Sequence, residues 1–267
     1  ADFNRSWTGI SYGSGYEGQG CVNDEMTNYY VEFMKKHIFA YLNPPITSKV
    51  LPMYWYLGYN VYSKSVLEVG GVILASWIVP IHENYDRLDY WCTCMFGEDN
   101  PSDPYLIPTD RALLDRRRKM ILAPVLEKAV KAGNIIIPEE FEVGFDHVTN
   151  LIAGLGMEDD PNYYLTRGYP GSVNTYVFNS ISEPANNSYP PTNEETYIGY
   201  MHLSKYYNQA RLAEVYPADK YPFLTEKFAF VQKYLKDKYQ IDLEAIANGP
   251  EDWDLPLPPI PETPDEE

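Results

Sequence analysis

The chain has 267 residues, of which 45% are hydrophobic and 22% charged, a composition that is ordinary for a globular protein of one large or two small domains. Its formal net charge is −17. Because contacts with duplex nucleic acid need cations opposite the phosphates, this charge argues against nucleic acid as a partner. The basic run at residues 116–119 lies within a helical pattern and is interpreted as a solvated face.

Residues 1–22 are rich in glycine and aromatic residues and predict an extended N-terminal segment. Asn23 or Asp24 then caps a helix of about 18 residues, whose apolar positions repeat with the helical period until the prolines after Asn43 end it. His37 falls on that apolar stripe and is therefore expected to be a core histidine.

Residues 49–81 predict strands. The run 72–79 is almost continuously apolar, which is typical of a central strand buried on both faces. Gly70 and Gly71 before it predict a turn or a bulge. Residues 97–108 contain several prolines and predict a loop.

A helix is predicted from Asp110 to about Gly133. Pro124 lies inside it, where the proline ring either kinks the helix or separates two helices. Residues 135–138 then predict a short edge strand, because a proline ends the apolar run.

The second half of the chain predicts further helices between irregular segments. Residues 146–153 predict a short helical piece, and residues 193–214 a longer helix. Thr225 is expected to cap the last amphipathic helix.

Together these elements predict an α+β fold, in which a small mixed β-sheet is packed by three or four helices and joined by long aromatic-rich loops. The predicted organisation is an extended segment at 1–22, a single α+β domain at 23–248 and an extended, acidic, proline-rich tail at 249–267. No apolar run is long enough to span a membrane. The chain starts at Ala1, as expected of a secreted protein whose leader has been removed.

The histidines are spread singly along the chain, although hydrolytic metal sites and nucleophilic triads draw on histidine. His82 and Glu83 begin like a zinc-binding H-E-x-x-H helix, but no second histidine follows at the fourth place. Acidic pairs such as Asp159 and Asp160 are interpreted as solvated carboxylates. We therefore predict no catalytic residue, no metal ligand and no cofactor. The histidines are His37, His82, His147 and His202.

The three cysteines are too few for a disulfide framework. Cys92 and Cys94 form a C-x-C pair with no nearby histidine that could complete a zinc site. Packing and one long-range disulfide through Cys21 remain the two interpretations.

Tyrosine is the most conspicuous residue type, with 25 copies. A tyrosine ring offers rigid contact area with a polar tip, which suits surfaces that stack on ligands, although many such rings are half-buried core residues. The long irregular stretch between 144 and 192 is where a binding site is expected. The candidate ligand-binding residues are Tyr163, Tyr164, Tyr169, Tyr189 and Trp55.

Several short segments recur in one known family. They are the strand pair formed by residues 54–56 and 69–74, residues 138–141 after a helix, the helix start at 193–197 and the ending at 231–243. On these segments the chain resembles the substrate-import-associated zinc metallohydrolase lipoproteins of Bacteroidetes, which are found beside SusC/SusD-type nutrient importers. The resemblance implies a SusC/SusD-type importer complex as partner, and a place on the outer-membrane surface through a lipid anchor.

The chain departs from that family at the helix before Pro138. The family carries H-E-x-x-H there, whereas this chain has residues 125–129, with Leu126 at the position of the general base. Glu127 could at best be one ligand, and a catalytic zinc needs about three protein ligands. The resemblance therefore implies a zinc-less relative, and no catalytic residue is carried over.

Three functions are compatible with these observations. The first is a non-catalytic accessory lipoprotein that helps a SusC/SusD-type importer to capture a peptide or glycan through exposed tyrosine and tryptophan rings. The second is a hydrolase whose site brings carboxylates together with His147 or His202. The third is a structural or assembly subunit that uses the acidic tail as a docking arm.

Overall fold

The computed structural model describes residues 14–19, 23–80, 83–84, 90–96, 108, 110–174, 180–250 and 253–259. The chain divides into two compact units. Unit 1 comprises Ala1–Lys36, Pro52–Arg118 and Asp254–Glu267, and unit 2 comprises His37–Leu51 and Lys119–Trp253. The predicted loop at 97–108, except for its last residue, and Cys21 lie outside the described residues.

Unit 1 contains a mixed five-stranded sheet. The long strand β2 pairs antiparallel with β1 and β3 and parallel with β5, while β4 pairs antiparallel with β5. The predicted mixed sheet is therefore confirmed, and part of the segment expected to be merely extended forms β1. The strands are β1 (Ser14–Gln19), β2 (Tyr54–Val69), β3 (Val72–Pro80), β4 (Glu83–Asn84) and β5 (Tyr90–Phe96).

The β2–β3 hairpin turns at Gly70 and Gly71, whose φ angles of +61° and +81° are readily adopted only by glycine. The turn prediction is thus confirmed. The prediction that 72–79 is a buried central strand is wrong, because Ile73 at the start of β3 is 63% exposed and the residues 72–76 are all exposed. An apolar run does not show whether a second strand or a packed layer covers it.

The predicted first helix is confirmed and has three parts. Helix α1 (Asp24–Phe33) is capped by the Asn23 side chain, which accepts from the Met26 amide at 2.8 Å. A π-helical turn (Met34–Ile38) and a 3₁₀ turn (Phe39–Tyr41) continue it. His37 is buried against the ring of Trp253, as expected of a core histidine.

The described part of the tail packs on unit 1. The Tyr29 hydroxyl donates to the Pro256 carbonyl at 2.9 Å, and Lys36 Nζ lies 2.9 Å from an Asp254 carboxylate oxygen. Leu255 is buried, although the tail was predicted only to be extended.

Helix α3 (Arg111–Lys131) runs through Pro124 as one helix, so the two-helix alternative is wrong. The basic run inside it is not a solvated face. The Arg118 guanidinium is fully buried and pairs with Asp115 at 2.8 Å, and Lys119 Nζ donates to the Ala247 carbonyl at 2.8 Å. A buried guanidinium is stable here because a carboxylate on the preceding helical turn compensates its charge.

Unit 2 is built around one helix that is buried on all sides. Helix α5 packs on α7 and α8, and its residues from Thr196 to Lys205 are all buried. A short hairpin of β6 (Ser172–Asn174) and β7 (Ser180–Ser182) also contacts α5. The helices are α2 (Pro44–Thr47), α4 (Glu139–Glu142), α5 (Asn193–Tyr206), α6 (Gln209–Val215), α7 (Pro222–Tyr239) and α8 (Leu243–Asn248).

Three local predictions in unit 2 are wrong. Residues 135–138 form no strand, and residues 146–153 form no helix but an irregular segment with bridges to residues 163 and 188. Thr225 is not the cap of the last long helix, because Pro222 starts α7 at a position where the missing amide proton costs nothing. The α+β class itself is confirmed. In the described part of the chain, no helix has the length and apolar character needed to cross a membrane.

Candidate functional site

Three of the five predicted ligand-binding residues are buried in unit 2. Tyr163 and Tyr164 pack against each other with ring centroids 4.8 Å apart, and both are less than a tenth exposed. Backbone hydrogen bonds between Ile152 and its partners Asn162 and Tyr164 hold this stretch of loop in place. The expectation that these rings are exposed stacking surfaces is therefore wrong.

Tyr169 is fully buried and makes contacts that hold the surrounding loop in place. Its hydroxyl donates to the Asp146 carbonyl at 2.8 Å and lies 3.3 Å from His147 Nδ1, which in turn is 2.8 Å from the Pro191 carbonyl. Burial raises the pKa of the Tyr169 phenol to about 12, so it remains a neutral donor. Tyr169 is thus a structural tie, which corrects the prediction that it faces a ligand.

The other two predicted residues occupy different settings. Tyr189 is 83% exposed and is the one predicted tyrosine that projects fully into solvent. Trp55 belongs to unit 1, where its indole Nε1 donates to Thr93 Oγ1 at 2.8 Å and its ring packs edge-on against Trp91. The structure therefore does not gather the predicted set into one site.

A different group of tyrosines forms an open cleft in unit 2, which we call the tyrosine cleft. Its volume is about 370 Å³, within the range of small-ligand sites. Of the predicted residues, only Tyr164 lines it. The lining residues are Tyr164, Pro170, Ser182, Glu183, Leu203, Tyr206, Tyr207 and Tyr216.

Two of the tyrosines that line the cleft lie at the C-terminal ends of helices α5 and α6. Tyr207 is the C-cap of α5, and the chain restarts at once as α6 because the Asn208 side chain accepts from the Arg211 amide at 2.8 Å. Tyr216 ends α6 because Pro217 follows it and disfavours helical backbone at the preceding residue. The Tyr207 and Tyr216 rings lie 6.1 Å apart at an angle of 68°.

The described lining of the tyrosine cleft includes one carboxylate. Glu183 follows strand β7, and its Oε1 accepts from the Gly154 amide at 2.8 Å, which fixes the side chain. Burial raises the pKa values of the Tyr164 and Tyr216 phenols, so both hydroxyls stay protonated. Among the described lining residues, Glu183 is thus the only carboxylate, beside the neutral phenols of Tyr164 and Tyr216.

A second polar group of unit 2, which we call the Glu127 cluster, joins α3 to α5. It consists of Glu127, Lys131, His202 and Lys205. Lys205 Nζ lies 2.8 Å from His202 Nδ1, His202 Nε2 lies 3.6 Å from Glu127 Oε2, and Glu127 Oε1 lies 2.5 Å from Lys131 Nζ. Because an ammonium only donates, Lys205 makes Nδ1 the acceptor and leaves the ring proton on Nε2, towards Glu127.

Neighbouring side chains keep the Glu127 carboxyl ionised. Burial alone would raise the pKa of the Glu127 carboxyl, but the His202 and Lys131 side chains outweigh it and lower that pKa to about 2. Glu127 in turn raises the pKa of Lys131. A carboxylate this acidic is a poor general acid or base near neutral pH.

The Glu127 cluster contains His202, which the hydrolase hypothesis named, together with a carboxylate, but it does not form an accessible reaction site. His202 is 2% exposed and Lys205 is 1% exposed. The cavity beside them measures about 10 Å³, room for about one water molecule. Within the described ranges, no three His, Cys, Asp or Glu side chains converge as a metal centre requires. The cluster acts as a tie between two helices.

Sequence reasoning missed most residues of both regions. Tyr206 and Tyr207 fall inside the continuous helix predicted for 193–214, although Asn208 is a signal of a helix start, and Tyr216 lies just beyond that helix. No sequence pattern marks Glu183 as a site residue, because the tyrosines that line the cleft with it are distant in sequence.

Comparisons with known proteins leave the family open. No protein-family model and no curated protein matches the chain. A crystal structure of a candidate zinc-binding metallo-peptidase from Bacteroides caccae is similar at 14% identity and a TM-score of 0.44, over 86% of this chain and 77% of that one. The likeness to this structure neither shows nor excludes the import-associated lipoprotein family, which stays a prediction.

Proposed function

We propose that this protein is a non-catalytic binding protein that holds a peptide or glycan fragment in the tyrosine cleft. One observation carries the proposal: half-buried rings of Tyr206, Tyr207 and Tyr216 and a fixed carboxylate at Glu183 line an open cavity of ligand size. Aromatic rings with polar tips supply contact area at low entropic cost, and few oriented polar groups suffice to position a ligand.

The proposed setting is that of an accessory lipoprotein on the outer-membrane surface, which passes nutrient to a SusC/SusD-type importer. What supports this setting is the resemblance of residues 50–246, together with the loss of the H-E-x-x-H residues at 125–129. Purification of the protein from native membranes tests the setting: an importer of this type is expected to co-purify, and a fraction without one would contradict it.

The binding function is tested with the purified chain by isothermal titration calorimetry against a panel of short peptides and oligosaccharides. Tyr207→Ala and Tyr216→Ala are each expected to weaken binding of the best ligand by at least about tenfold, as truncation of a central aromatic anchor does. Circular dichroism of each variant verifies that the helices remain folded.

Tyr189→Ala is the matched control, because it removes an exposed tyrosine that is not part of the tyrosine cleft. Its affinity is expected to equal that of the wild type. If Tyr189→Ala weakens binding and the two cleft variants do not, the ligand binds on the loop at 144–192 instead. If no peptide or oligosaccharide binds in a manner that depends on Tyr207, the proposed function is wrong.

A further inference from the structure

We propose that the tyrosine cleft recognises an organic cation, specifically the lysine or arginine side chain of a peptide, held between tyrosine rings and the Glu183 carboxylate. This inference rests on the proposed binding function and names the ligand class. It is carried by the angles between the rings, by the single anchored carboxylate and by the sign of the surrounding charge.

The tyrosine rings of the cleft are steeply inclined to each other and do not form one flat stacking surface. The Tyr207 and Tyr216 rings, both in the lining of the cleft, meet at 68° with their centroids 6.1 Å apart. A sugar ring stacks on one flat aromatic face, whereas rings set steeply to one another enclose a small group from several sides. Aromatic cages of this kind recognise ammonium groups, because the negative faces of the rings attract the cation.

The carboxylate is placed to complete such a cage. Gly154 anchors Glu183 through Oε1, and within the described residues no other hydrogen bond to this carboxylate is found, which leaves Oε2 for a ligand. A charge-assisted hydrogen bond from an ammonium or guanidinium to Oε2 would set the depth of insertion. Burial raises the pKa values of the Tyr164 and Tyr216 phenols, so these two hydroxyls stay neutral and do not compete for the cation.

The cleft holds no cation of its own among the lining residues that the structure describes. Lys205 lies close by, with Nζ 5.4 Å from the centroid of the Tyr206 ring, but it is buried in the Glu127 cluster. Tyr206 is thus already engaged by a cation, and the half-buried rings of Tyr207 and Tyr216 remain to receive the ligand. The net charge of −17 favours the approach of cations over anions.

The test is calorimetric titration of the full chain with three probes. The first is acetyl-Ala-Lys-Ala-amide, the second is the same peptide with norleucine in place of lysine, and the third is maltotriose. Norleucine keeps the four-carbon stem and lacks the ammonium. The lysine peptide is expected to bind at least about tenfold more tightly than the other two probes, and to weaken as salt rises.

Two pairs of variants distinguish recognition of the ammonium group from binding that depends only on the shape of the cleft. Glu183→Gln keeps an acceptor for the Gly154 amide and is expected to weaken the lysine peptide by about tenfold while leaving the norleucine peptide unchanged. Glu139→Gln, an exposed change on α4, is the control and is expected to behave as the wild type. Tyr207→Phe keeps the ring face and most of the affinity, whereas Tyr207→Leu loses it.

The outcomes distinguish this inference from the proposed function. If maltotriose or the norleucine peptide binds as tightly as the lysine peptide, and binding is lost in Tyr207→Leu, the cleft is a binding site but the cation inference is overturned. If Glu183→Gln binds the lysine peptide like the wild type, the inference is likewise overturned. If none of the peptides or oligosaccharides binds, the proposed function fails together with it.

Discussion

The tyrosine cleft and the Glu127 cluster are built on the same helix and differ in almost every other respect. Leu203 and Tyr206 on one side of α5 line an open cavity, whereas His202 and Lys205 on another side lie in a closed contact with α3. Residues three apart on a helix share a face, so one short segment supplies two unlike surfaces. The cleft is open and lined by half-buried tyrosines, whereas the polar groups of the cluster are buried and bonded to each other.

This difference predicts opposite responses to mutation. Truncation in the tyrosine cleft should change binding and leave the free energy of unfolding nearly unchanged, because the rings are partly solvated. Truncation in the Glu127 cluster should do the reverse, because it leaves the buried His202 Nε2–H donor and the Lys131 ammonium without the carboxylate that both contact.

The largest effect on stability is expected from Glu127→Ala. This change leaves His202 and Lys131 without their shared carboxylate and is expected to lower the free energy of unfolding by about 3 kcal/mol. Urea denaturation followed by circular dichroism measures it. Glu214→Ala on the exposed surface of α6 is the control, with an expected change below about 0.5 kcal/mol. Equal losses in the two variants would show that the cluster contributes no special stability.

The pH dependence of stability provides a second test of the Glu127 cluster. The folded pKa of Glu127, about 2, lies below the ordinary value of 4.5. A depressed pKa means that the carboxylate stabilises the folded state fully above about pH 4.5, and that this contribution is lost as the pH falls towards 2. The difference corresponds to about 3 kcal/mol.

The measurement compares the wild type with Glu127→Gln by urea unfolding at several pH values between 6 and 2.5. The wild type is expected to lose stability more steeply below pH 4.5, since the glutamine cannot titrate. Other acidic groups with a lowered pKa, such as Asp146, titrate in both proteins and cancel from the comparison. Parallel curves would contradict the assignment of the Glu127 pKa.

Helices and turns were predictable because their signals are local. The apolar period of α1, the extent of α3 and the glycine turn at Gly70 and Gly71 each follow from neighbouring residues. The strand β3 was misjudged because an apolar run carries no information about which element covers it. The prediction that the basic run is a solvated face failed for the same reason. The Arg118 charge is compensated by the Asp115 carboxylate and not by solvent.

The candidate site was harder to predict, because exposure of a ring in a loop depends on contacts that are distant in sequence. Tyr169 looked like a loop residue, yet its hydroxyl reaches the Asp146 carbonyl and its ring packs on Phe145. Glu127 and His202 were each noticed, but only the packing of α3 against α5 brings them within 3.6 Å. Composition drew attention to tyrosine, and could not indicate which tyrosines line a cavity.

The smallest effects are expected from removing single buried hydroxyls, and these sharpen the contrast between engaged and available polar groups. Tyr169→Phe deletes the donor to the Asp146 carbonyl and is expected to lower the free energy of unfolding by about 1 kcal/mol. Tyr197→Phe is the matched control, because the Tyr197 hydroxyl is buried and finds no hydrogen-bond partner among the described residues.

Deleting the Tyr197 hydroxyl removes a polar group that folding has already stripped of water, so this variant is expected to be as stable as the wild type or more stable by up to about 1 kcal/mol. Thermal unfolding of the two variants under identical conditions measures the difference. An equal destabilisation of both would mean that phenol oxygens in unit 2 are stabilising wherever they lie. Opposite signs would show that Tyr169 contributes through its hydrogen bond, and therefore that burial of this ring serves the fold rather than a ligand.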